Sequence, residues 1–192
     1  IIVVDDGSAD RTFEAAKNAG ATALKHKLNR GKGAATKTAI EAAKMLGADI
    51  IVTMDGDGQH NPADAGALLH AVDGAERCIV IGKRQGMEDL KNVPWTSRFG
   101  RKFSNFWVWA AGGPWVEDSQ SGFRLYPIPE ALQLGVKARR YQFEVEILVK
   151  ARQHGMKTKE APVSVVYQAK GERVSHFRPW RDFLRNSSTF NR

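Results

Sequence analysis

Short apolar runs and helical stripes alternate along this chain. Residues 1–4, Ile-Ile-Val-Val, are a continuous β-favouring run that stops at Asp5-Asp6-Gly7-Ser8, which predicts a buried strand ending in a turn. Ser8 is placed to cap a helix over 10–18, with Gly20 closing it. A second strand is expected over 21–27. Ala35, Ala39, Ala42, Ala43 and Leu46 recur at helical spacing over 31–47, and Gly47 ends that helix. The apolar strand 50–54 runs into Asp55-Gly56-Asp57-Gly58. Asn61-Pro62, a cap followed by proline at the first helical position, opens a helix to about residue 72. A strand over 78–81 follows.

The second half continues the alternation. A helix over 95–111 sets Phe99, Phe103, Phe106, Trp107 and Ala110 on one face, expected to be core, with a lipid groove as the alternative. Then come a strand over 121–126, a short helix over 129–134, a longer helix over 141–154 and a last strand over 162–167. A final helix over 178–186 gathers Phe177, Trp180 and Leu184 beside Arg178, Arg181 and Arg185. Strands and helices in this order predict an α/β fold with a mainly parallel sheet flanked by helices. Ligands of such sheets sit beyond the carboxyl ends of the strands, where Asp5-Asp6 and Asp55/Asp57 both fall.

Length and charge narrow the picture. At 192 residues the chain fits one domain with a real core. The single cysteine, Cys78, excludes an internal disulfide; within Cys78-Ile79-Val80-Ile81 it reads as a buried thiol in a protein of a reducing compartment. No apolar run approaches the ~20 residues that span a bilayer. Because the chain opens inside a strand and without methionine, it is expected to be a piece of something longer. The net charge of +8 is uneven: residues 1–136 hold 16 Lys/Arg and 16 Asp/Glu, whereas residues 137–192 hold 13 and 5. That concentration suits an extended anionic partner, a membrane surface or a nucleic acid. Nucleic acid fits less well, since two acidic strand ends would repel a phosphate backbone.

The acidic turns carry the candidate chemistry. Asp55 and Asp57 offer paired carboxylates to a hard divalent cation, which in turn neutralises a diphosphate; the plain alternative is a solvated turn. Asp5 and Asp6 are placed to accept from a nucleobase or ribose, or merely to cap a helix. Gly31-Lys32-Gly33 lacks the third glycine of a dinucleotide fingerprint and is not a P-loop, which leaves a helix start near phosphates or simple capping. The five histidines show no metal-ligand spacing and are expected at the surface, with His60, directly after the acidic turn, as the exception.

Four runs, in order, resemble family-2 glycosyltransferases: Val3-Val4-Asp5-Asp6-Gly7-Ser8-Ala9-Asp10-Arg11-Thr12, Asn29-Arg30-Gly31-Lys32-Gly33, Met54-Asp55-Gly56-Asp57-Gly58-Gln59-His60 and Asp118-Ser119-Gln120-Ser121-Gly122-Phe123-Arg124. The last is similar to the dolichyl-phosphate mannose and polyprenyl-phosphate glucose synthase branch. The resemblance implies a GT-A fold over residues 1–175, Rossmann-like, whose first strand would lie before Ile1, followed by a basic amphipathic segment over 176–192. It implies an inverting transfer from a UDP- or GDP-sugar, helped by Mg²⁺ or Mn²⁺, to polyprenyl phosphate or another lipid-linked or glycan acceptor. Asp5 and Asp6 would hold base and ribose, Asp55, Asp57 and Gln59 the metal and diphosphate. Lys32, Arg84 and Arg124 would face phosphates, and Asp118 would stand near the acceptor, as the candidate general base if that acceptor is a hydroxyl, a phosphate needing none. The expected setting is the cytoplasmic face of an anionic membrane, in cell-envelope assembly. No Gln-X-X-Arg-Trp occurs, so the processive synthases are not the match, and 171–176 matches the dolichyl-phosphate branch only loosely. The rivals are a nucleotide-sugar-synthesising nucleotidyltransferase and a basic nucleic-acid-binding module.

Overall fold

The computed structural model describes residues 1–74, 76–85 and 104–165. Two parallel strands come first, β1 (Ile2–Asp5) and β2 (Thr22–Lys25), joined by α1 (Thr12–Asn18). Helix α2 (Lys32–Met45) leads to β3 (Ile50–Thr53). A single 3₁₀ turn, Pro62–Asp64, then enters α3 (Ala65–His70), which is followed by β4 (Ile79–Arg84). Residues 104–110 form α4. The chain continues through β5 (Arg124–Pro127), α5 (Glu130–Gln133), α6 (Gln142–Gln153) and β6 (Thr158–Val163).

The second sheet has the order β3-β5-β4-β6. In it β3, β4 and β6 run one way, and β5 alone opposes its two neighbours. Alternation along the strands splits the core in two. Ile79, Ile81 and Tyr126 point to one face with Ile40 of α2, Ala131 of α5 and Phe143, Ile147 and Leu148 of α6. Cys78, Val80 and Leu125 point to the other with Leu68 of α3, Phe123, Ala161 and Val163. Helices therefore cover both faces, the expected α/β architecture. Cys78 is buried and free, and burial pushes its thiol pKa up, as expected of an inert core cysteine.

Several local expectations shift, each for a visible reason. Ser8 does not cap α1: its N–H turns back to Asp5, and Asp10 Oδ1 instead accepts from the Thr12 N–H and hydroxyl. Asn61 does cap, taking the Ala63 N–H at 3.1 Å. The buried side of α2 is Gly33, Ala34, Ile40 and Ala43, while Leu46 is exposed. The last strand begins at Thr158, ahead of its expected start, because β6 is an edge strand whose polar residues find partners: Lys159 with Glu76, and Glu160 with the Glu117 and Asp118 N–H groups. In α4, Val108 is the buried apolar residue, while Phe106, Trp107 and Trp109 are exposed, so the described part of the expected aromatic stripe, Phe106 and Trp107, is not core. The rest of that predicted helix, the segment 171–176 and the basic segment 176–192 lie outside the described residues.

Candidate functional site

Helix α2 packs on β1, β3 and α6, so its first turn lies between the two acidic strand ends. Gly31 starts it at φ +97°, with the Arg139 carbonyl 2.6 Å from where a Cβ would stand, so both its backbone conformation and its surroundings require glycine. Gly33 meets Phe143 of α6 as closely, which lets the two helices touch.

The β1 end is built of carboxylates already in use. Asp5 is buried; its Oδ1 accepts the Ser8 N–H at 2.7 Å, and the Lys25 ammonium stands 3.2 Å from Oδ2. The Ser8 hydrogen bonds hold its carboxyl below the usual range, against burial, with Lys25 adding to the effect. Asp6 accepts the Arg30 N–H at 2.9 Å and the Gly31 N–H at 2.6 Å, and lies 2.6 Å from His26 Nδ1. His26 reaches on to Thr38, so it is a buried strut rather than a surface residue. Both aspartates lie at the expected strand end, but the structure gives their carboxylates protein partners: Asp5 closes its turn, and Asp6 holds the loop that starts α2.

The β3 end is different. Thr53 donates to the Gly122 carbonyl at 3.1 Å, drawing the loop after Asp118 against the acidic turn. Lys32, from the first turn of α2, reaches over with its ammonium 2.7 Å from Asp55 Oδ2 and 2.5 Å from Glu144 Oε1 of α6. Burial works against that ammonium, yet Glu144 and Asp55 outweigh it and hold its pKa above the ordinary lysine value. Gly122 walls the pair, because a Cβ there would stand 2.5 Å from both Asp55 Oδ2 and Lys32 Nζ. Asp57 is exposed, and its Oδ1 accepts the Gln59 N–H at 3.0 Å. Asp55, Asp57 and Gln59 thus share one turn and offer two carboxylates and an amide carbonyl, the oxygen donors that Mg²⁺ or Mn²⁺ takes. Among the described residues no three His, Cys, Asp or Glu side chains converge, so such an ion would complete its shell from ligand oxygens and water. His60 is packed 5.2 Å from Phe123, its Nδ1 buried without a hydrogen-bond partner; burial, then Arg84, push its pKa down.

Three of the expected residues have partners within the protein. Arg124 points inward. It is fully buried, and its guanidinium donates to the carbonyls of Ser121 at 2.7 Å, Glu144 at 2.9 Å and Ser119 at 2.6 Å, which makes it the post around which the 119–124 loop is wrapped. Asp118 is not an open base. Both its oxygens are taken by Arg84, Nε at 2.7 Å and Nη2 at 2.8 Å, and none of its surface reaches solvent. Arg84 correspondingly turns that edge onto Asp118 instead of outward. The residue that the pattern missed is Glu144, whose signal was a carboxylate beside Phe143, Ile147 and Leu148 on the apolar face of α6.

The family model described as glycosyl transferase family 2 matches residues 1–127. An uncharacterized protein of Methanocaldococcus jannaschii is 39% identical over 170 residues, covering 87% of this chain and 70% of that one. The UDP-N-acetylglucosamine–dolichyl-phosphate N-acetylglucosaminyltransferase of Methanococcus voltae is 34% identical over 187 residues, covering 87% of this chain and 74% of the relative. Among solved structures, glucosyl-3-phosphoglycerate synthase of Mycobacterium tuberculosis, in complex with Mn²⁺, UDP and glucosyl-3-phosphoglycerate, superposes with a TM-score of 0.64 at 19% identity. That match covers 99% of this chain but only 65% of the synthase, and it bears on the fold, which is GT-A-like.

Proposed function

The chain belongs to glycosyl transferase family 2, and on that footing we propose that it moves a sugar from a UDP- or GDP-sugar to a phosphate-bearing acceptor, polyprenyl phosphate. The observation that carries the reading is the β3 end, where Asp55 meets the Lys32 ammonium at the mouth of α2 and Asp57 follows it on the same turn. Carboxylates for a divalent ion and a cation for a diphosphate are what departure of a nucleoside diphosphate needs. Asp55, Asp57 and Gln59 would hold Mg²⁺ or Mn²⁺. When bound, the ion neutralises charge that develops on the departing diphosphate. Lys32 supplies a further positive charge from the chain itself. Asp6 contributes by fixing the loop from which Lys32 rises.

The choice of acceptor has support in Asp118. A hydroxyl acceptor needs a base to take its proton, whereas a phosphate is already ionised and attacks the anomeric carbon directly. Asp118, the base expected for a hydroxyl, is buried in its pairing with Arg84, which favours the phosphate nucleophile. The dolichyl-phosphate acceptor named for the Methanococcus voltae relative supports the same choice. Access to a lipid acceptor has support in Trp109 and Trp115, which are 49% and 68% exposed and meet edge to face at 6.2 Å. Among the described residues no helix is long and apolar enough to cross a membrane, so the attachment proposed is peripheral.

The test is transfer from radiolabelled UDP- and GDP-sugars by the full chain, with polyprenyl phosphate in anionic vesicles or 3-phosphoglycerate in solution as acceptor. The expected product partitions into organic solvent. Trp109→Ser/Trp115→Ser should slow transfer to vesicle-borne acceptor by roughly tenfold, the loss of two interfacial anchors, and leave transfer to detergent-dispersed acceptor little changed. A label recovered only as a water-soluble phosphoglycerate conjugate would refute the lipid acceptor and leave the family assignment standing.

A further inference from the structure

The arrangement around Asp55 contains a competitor for the ion it is proposed to bind. Lys32 Nζ lies 2.7 Å from Asp55 Oδ2, and Glu144 Oε1 holds the same ammonium from behind at 2.5 Å. The backbone at Gly122 stands against the pair on another side. A divalent cation that uses Asp55 must therefore approach a carboxylate already carrying a positive charge at contact distance, and like charges so close repel strongly in a partly enclosed site.

We propose that Lys32 is a latch that keeps the empty site from taking up free divalent ions, and that Glu144 is the positioning residue that sets its strength. The inference rests on the metal site proposed above. With nucleoside diphosphate absent, the ammonium has Asp55 and Glu144 as its ion-pair partners among the described residues and stays on them. With nucleoside diphosphate present, the ammonium gains phosphate oxygens within reach of its flexible stem, releases Asp55 and leaves that carboxylate to the ion. Metal and nucleotide binding are then coupled through one side chain, each strengthening the other by the same factor. Glu144 acts only through Lys32. As a second carboxylate it shares the ammonium, and without it the whole charge settles on Asp55.

The experiment titrates Mn²⁺ into the full chain and follows the free-ion electron paramagnetic resonance signal, without nucleotide and with UDP or GDP, thermal melts confirming that each variant is folded. In the wild type, nucleotide should tighten Mn²⁺ binding by at least about tenfold, within the range usual for coupled sites. Lys32→Met should bind Mn²⁺ alone several-fold more tightly and lose most of the nucleotide effect. Glu144→Gln should weaken binding of Mn²⁺ alone, and should do so by less than about twofold when Lys32 is already methionine, the signature of a residue acting through its neighbour. Unchanged or weaker Mn²⁺ binding by folded Lys32→Met would overturn the latch while leaving the metal site intact. An equal loss on Glu144→Gln in both backgrounds would show that Glu144 meets the ion directly and would overturn its assigned role. No Mn²⁺ binding by the wild type under either condition would overturn the metal site, and the latch with it.

Discussion

Asp55→Asn is expected to lower sugar transfer by about 10²–10³-fold, the size of effect seen when one charge-stabilising group is removed from a reacting centre. The substitution keeps the side chain's shape and removes the charge on which both the ion and Lys32 depend. Asp55 is about one-third exposed, with 34% of its side-chain surface accessible, so its pairing with Lys32 adds little to folding and the melting temperature should hardly move. Initial rates at saturating donor over a range of Mn²⁺ concentrations check this. A variant that reached wild-type turnover at ordinary Mn²⁺ would remove the β3 end from the mechanism.

Asp118→Asn is expected to act on stability instead. The carboxylate is fully enclosed and accepts both edge donors of Arg84 together with the Arg84 backbone N–H. Loss of its charge leaves an arginine facing a neutral amide, and breaking such a pair costs about 3 kcal/mol or more. Chemical denaturation should show a lower midpoint with an unchanged slope. The pair also ties β4 to the loop that leads to Gly122, so the variant should lose activity in proportion to its loss of fold. A fall in turnover with an unchanged denaturation midpoint would restore Asp118 to the role of general base.

These two variants mark where sequence reasoning succeeds and where it stops. Strand ends are legible because an apolar run must stop, and Ile50–Thr53 stopping before Asp55 places the acidic turn beyond the strand in any α/β arrangement. The buried strand Ile79–Arg84 and the inert Cys78 follow from the same pattern. What cannot be read from the pattern is which partner a charged side chain finds across 20 or more residues. Arg124 and Asp118 sit in one motif and both suggest contact with a ligand, yet Arg124 is spent on three carbonyls and Asp118 on Arg84, 34 positions away. Long-range pairing also explains why Glu144 went unnoticed: its meaning comes from Lys32, a neighbour only after α2 and α6 meet at Gly33. The described part of the α4 aromatic stripe departs from the expectation for a related reason. Periodicity shows that Phe106 and Trp109 belong near one another, but not whether another element arrives to cover them.

The proposed function requires this chain to bind a nucleotide sugar through a divalent ion held at Asp55 and Asp57. Isothermal calorimetry of the full chain with UDP- and GDP-sugars tests it most directly, with Mn²⁺ present, with chelator in excess, and with Asp55→Asn. One class of nucleotide sugar is expected to bind with Mn²⁺ and to lose most of its affinity both in chelator and in the variant. Equal affinity in all three conditions would contradict the claim, as would the absence of nucleotide-sugar binding from a protein that instead joins a sugar phosphate to a nucleoside triphosphate.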